Sequence, residues 1–154
     1  MLGKIGDWLK QKGNLSEEPN PEQALQMAAA ILLLEVSRAD FDISEDELIV
    51  IQRALESQFA LSEEEGHALL QLALEEHERY TSAHAFIRIL NESLDPQQKE
   101  QLLEGLWRVA YADQMLDKYE EYHVRKIADW LYLSHSDFIR IKSKVISELN
   151  IPRD

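Results

Sequence analysis

The residues of this sequence best suited to chemistry are carboxylates, and they recur in one pattern. A first corner reads Ala39-Asp40-Phe41-Asp42-Ile43-Ser44-Glu45-Asp46-Glu47, and a second reads Ala112-Asp113-Gln114-Met115-Leu116-Asp117-Lys118-Tyr119-Glu120. Asp40 aligns with Asp113, Ile43 with Leu116, Ser44 with Asp117 and Glu47 with Glu120, at an offset of 73 positions (113 − 40) and without a gap. Acids in such a pattern can close the start of a helix or hold a cation. Ser44 with Glu47, and Asp117 with Glu120, have the spacing of a capping box, and Ile43 with Leu48 that of a hydrophobic staple. Asp40 and Asp113 fall at the end of the preceding helix, where a negative charge opposes the helix dipole. A bound cation, or a partner's Lys or Arg, would remove that penalty, and local misfits of this kind concentrate at functional sites.

Two familiar metal motifs are excluded. Asp40-x-Asp42-x-Ser44 opens like an EF-hand loop, but Glu45 stands where Gly is required and Ile51 where a bidentate Glu is required, and the second copy has Met115 at its third position. Glu120-x-x-His123 matches half of a di-iron bundle site, but the first half of the chain offers Glu47 and Val50 in its place. Clustered carboxylates would suit a metal-dependent hydrolase. No nucleophile stands beside a base, however, and no Gly-rich loop could cradle a phosphate, so no enzymatic activity is expected. His67, His77, His84 and His135 lack ligand spacing and read as surface or partly buried structural residues. Glu35, on the most apolar helix, reads as a buried acid or as a partner of Arg38.

The elements that must position the corners are helical. Apolar periodicity predicts helices over Glu22 to Arg38, Glu45 to Gln58, Glu63 to Glu78, Ala83 to Asn91, from Asp95-Pro96 onward, Lys118 to Leu131 and His135 to Leu149. The first is apolar nearly all round (Met27, Ala28, Ala30, Ile31, Leu32, Leu33, Leu34), the mark of a central helix. Asp95-Pro96 is a strong start, an acid cap followed by a proline that loses no hydrogen bond. Trp107, Tyr111 and Trp130 read as core packing. Leu61-Ser62 and Leu133-Ser134 begin further corresponding helices, now offset by 72 (134 − 62). There is no hairpin signal. The expectation is an all-α bundle over residues 21–150 with an internal pseudo-two-fold repeat of helix, acidic corner and helix. Residues 1–20 read as a short amphipathic helix (Leu2, Ile5, Trp8, Leu9) and a linker. That helix either docks on its own domain or lies at a membrane interface.

Composition bounds the function. The 154 residues carry a formal net charge of −13 and no cysteine. Disulfides and thiolate chemistry are excluded, which suits a reducing cytoplasm. From Asp40 to Glu78 there are twelve acidic residues and one basic residue, Arg53. Such a surface repels nucleic acid and favours metal ions or basic partners. The apolar run that ends at Leu34 is far too short to span a membrane.

Two copies of Ala-Asp-x-x-(Ile/Leu)-(Ser/Asp)-x-x-Glu at helix corners resemble the tellurite-resistance TerB family, over roughly Pro21 to Leu149. The resemblance implies an all-α fold with a pseudo-symmetric repeat and a non-enzymatic role in a bacterial stress response. It also implies work beside other stress-response proteins in membrane-associated assemblies, and a divalent-metal site. Asp40, Glu47, Asp113 and Glu120 would be its main ligands, with Asp117, Asp42 and Ser44 in support. Oxygen donors favour Ca²⁺ or Mg²⁺, and His123 nearby keeps Zn²⁺ within the chemistry. The family commonly has Gly after the Ala-Asp pair; this chain has Phe41 and Gln114. The alternative is a metal-free acidic module that docks a basic partner.

Overall fold

The computed structural model describes residues 21–37, 43–77, 84–112 and 118–150. All regular structure among the described residues is helical. The seven helices are α1 (Pro21–Ser37), α2 (Glu45–Phe59), α3 (Glu63–His77), α4 (His84–Ser93), α5 (Pro96–Ala110), α6 (Lys118–Trp130) and α7 (His135–Leu149). Their bounds differ by a residue or two from those read off the periodicity, the usual scatter at frayed ends. The N-terminal amphipathic segment lies outside the described residues.

The all-round apolar sequence of α1 has the consequence anticipated for it. Every residue from Met27 to Leu34 is buried, and α1 packs against α2, α3, α4, α5 and α6. The second hub is α5, which meets α1, α2, α6 and α7. Gly105 permits its close approach: a Cβ there would sit 3.3 Å from the Ala54 Cβ and 3.4 Å from Leu33 Cδ2. Trp107 is fully buried on the same helix, its ring centroid 4.8 Å from that of Phe138. Salt bridges join the outer faces of α5 and α7, Arg140 to Glu100 at 2.9 Å and Lys144 to Glu104 at 2.6 Å. Trp130 packs against the core, as expected of it, but from its margin. It is partly buried at the edge, with the Lys126 ammonium 4.9 Å from its ring centroid.

Short local devices fix where the helices start and stop. Asp95 and Gln98 form a capping box at α5, as do Ser62 and Glu65 at α3. The helices α2 and α6 end alike. After α2, Ala60 is left-handed (φ 53°) and the Leu61 N–H reaches the Glu56 carbonyl at 3.0 Å. After α6, Tyr132 is left-handed (φ 61°) and the Leu133 N–H reaches the Ala128 carbonyl at 3.0 Å. This is the six-to-one bond of a Schellman end, formed both times without glycine.

Candidate functional site

Asp40, Asp42, Asp113 and Asp117 lie outside the described residues. What the structure describes of each corner is the helix that follows it. At the first, Ser44 caps α2 from an extended conformation (φ −75°, ψ 162°). The Glu47 N–H donates to Ser44 Oγ at 3.1 Å, and the Ser44 N–H donates to Glu47 Oε1 at 3.0 Å. Ile43 and Leu48, the expected staple, are both partly buried against the core. At the second corner, α6 starts at Lys118, so Glu120 occupies the same third helical position as Glu47.

Both glutamates are buried, Glu47 at 6% and Glu120 at 4% exposure. Capping alone does not require this. Glu65 and Gln98 close boxes of the same kind at α3 and α5 and remain exposed. Glu45 and Asp46, beside Glu47 in the same first turn, are exposed too. Taking a carboxylate out of water is costly unless charge or hydrogen bonds compensate it. The Glu47 box occupies Oε1 and takes no part of Oε2.

Further polar groups gather around the ends of the central helices. Ser37, the last residue of α1 and three positions before Asp40, is fully buried, and its hydroxyl finds no hydrogen-bond partner among the described residues. His123, half-buried on α6, has its proton affinity lowered, chiefly by burial; the charge of Glu35 on α1 pulls it up and that of Lys126 pushes it down. Glu35 is half-buried, and Arg38, its expected partner, lies outside the described residues. Glu76 on α3 is a further buried acid, which the sequence reading did not single out. A signal for it existed: Leu69, Ala73 and Glu76 follow one i, i+4, i+7 stripe, whose other two members are core. His67, His84 and His135 are exposed, within the surface or partly buried placement expected of them. Among the described residues no three His, Asp or Glu side chains are grouped so as to hold a metal ion. The donors that are present, carboxylates and hydroxyls, suit a hard divalent cation.

The all-helical fold agrees with the outcome of a comparison with known families. The family model described as Tellurite resistance protein TerB matches residues 26–143, and the chain belongs to that family. No curated protein and no solved structure matches it.

Proposed function

We propose that this chain is a non-enzymatic accessory protein of a bacterial, tellurite-resistance-type stress response that binds a divalent metal ion at its two helix corners. Asp40 and Glu47 from the first corner and Asp113 and Glu120 from the second would hold the ion, with Asp117, Asp42 and Ser44 in support. The observation that carries this reading is the burial of Glu47 and Glu120 where capping residues of the same type stay exposed. A bound cation would supply positive charge beside the buried Glu47, whose capping box engages only Oε1. The buried hydroxyl of Ser37 adds a polar group at the approach to the first corner. Helix packing supports the pairing of the corners: α1 meets α6 just as α5 meets α2, and α1 meets α5.

Oxygen donors favour Ca²⁺ or Mg²⁺, and burial, which lowers the proton affinity of His123, favours the neutral imidazole that Zn²⁺ would need. Family membership supports action beside other stress-response proteins in the cytoplasm, peripheral to the membrane. No helix among the described residues is long and apolar enough to cross one. Titration calorimetry on chelator-stripped protein tests the reading. Micromolar binding of Ca²⁺, Mg²⁺, Mn²⁺ or Zn²⁺ is expected, and Asp40→Asn with Asp113→Asn should remove it while preserving the helical circular dichroism. No binding of any of the four ions would refute it.

A second reading rests on a different surface. Glu45, Asp46, Glu63, Glu64, Glu65 and Glu75 are all exposed on α2 and α3, a face suited to a basic partner. Such docking would weaken steeply with salt and ignore chelators.

A further inference from the structure

An open groove of about 470 Å³ runs between α2 and α5, a volume within the range of small-molecule sites. Apolar groups line part of it: Val50 and Ala54 from α2, Gly105 from α5 and Leu149 from the end of α7. Two amides fasten the walls together. Gln58 Nε2 donates to the Gln98 carbonyl at 3.1 Å, and Gln101 Nε2 donates to the Ser57 carbonyl at 3.4 Å. The shape of the groove is therefore set before any ligand arrives.

Its charges are unequal. On the α5 wall, Arg108 is ion-paired with Glu148 and lies 3.8 Å from Glu104, which itself binds Lys144 at 2.6 Å. These four charges cancel. On the α2 wall stands Arg53, exposed and without an ion pair among the described residues. It is the only basic residue between Asp40 and Glu78. A guanidinium with no ion pair among the described residues, beside an apolar floor, fits an anionic oxygen group carried on an apolar body. Inorganic phosphate would meet the cation but not the floor, and a neutral aromatic the floor but not the cation.

We infer that this groove binds a small molecule made of a carboxylate or phosphate on an apolar body, with Arg53 as its anion contact. The test is an amide-shift NMR titration of ¹⁵N-labelled full-length protein in chelator, which keeps any metal site out of the result. The probes are phenyl phosphate, benzoate, inorganic phosphate and phenol. Phenyl phosphate, benzoate or both should give saturable shifts centred on the groove, at lower concentration than inorganic phosphate or phenol. The stronger of the two identifies the anionic group. Arg53→Gln should weaken that binding about tenfold, as loss of a charge-assisted hydrogen bond does. Ser57→Trp, at an exposed groove position, should abolish it; circular dichroism should stay unchanged in both variants. The inference is overturned if neither anion gives saturable shifts at millimolar concentration, if phenol binds as tightly as phenyl phosphate, or if Arg53→Gln binds like the parent.

Discussion

Ser44 and Glu47 hold each other across the first turn of α2 through two reciprocal hydrogen bonds of 3.1 and 3.0 Å, and the glutamate that closes the pair is almost wholly buried. The two properties separate by mutation. Ser44→Ala should cost about 1 kcal/mol, the usual loss for an N-cap hydroxyl, read by urea unfolding in chelator. Glu47→Gln keeps an acceptor for the Ser44 N–H, so metal-free stability should hardly move. Its divalent-ion affinity should fall at least about tenfold, the scale on which even outer partners of metal ligands act. Parental affinity in Glu47→Gln would remove that residue from the ligand set.

A metal bound only by the folded chain must stabilise it. At a free ion concentration of about 100 times Kd the gain is about 2.7 kcal/mol, on the order of 5–10 °C in Tm for a chain of this length. Scanning calorimetry with the ion and with chelator should show that difference, and the Asp40→Asn, Asp113→Asn double variant should show none.

Ala60 and Tyr132 occupy the left-handed conformation that glycine adopts without strain. Tyr132 is 82% exposed, so little packing rewards it there. Tyr132→Gly and Ala60→Gly should each stabilise the protein by up to about 1 kcal/mol, the left-handed penalty less the entropy that glycine adds to the unfolded chain. Asn150, also left-handed (φ 61°), is a residue type that tolerates the conformation, and Asn150→Gly should change stability less. Chemical denaturation of the three variants checks the order.

His123 ties stability to pH. Burial is the largest cause of its lowered proton affinity, against the opposing pull of Glu35. The unfolded chain therefore takes up a proton near the ordinary value of 6.5 while the folded chain does not. The contribution of His123 is fully present above that value and is lost as pH falls below it toward the folded value. His123→Gln should flatten the loss of stability below neutrality when compared with the parent in chelator. Glu35→Gln should lower the imidazole titration further, as NMR of the ring protons would show.

Most of the helices were legible because an apolar stripe follows a marked start, such as Ser44, Ser62, Asp95 or Ser134. The burial of Glu47 was not. Ser44-x-x-Glu47 and Ser62-x-x-Glu65 spell the same local hydrogen bonds, and only packing from elsewhere in the chain separates a buried glutamate from an exposed one. The ends at Ala60 and Tyr132 were hidden for a related reason: neither offers the glycine that usually announces a left-handed stop. Periodicity puts Trp130 on the core-facing side of α6 but does not give how far its neighbours cover it, and it is only partly buried. The groove joins Arg53 to Arg108 through a helix crossing, a relation that no local pattern encodes.

The central position of α1 shapes how the chain comes into being. The surfaces that cover this helix on α5 and α6 lie some seventy or more residues further along the chain. Among the described residues, α2, α3 and α4 cover the rest of this strongly apolar rod. Completing the cover of α1 on α5 and α6 therefore needs contacts distant in sequence. Two fragments split between α4 and α5 should regain the native bundle only when combined.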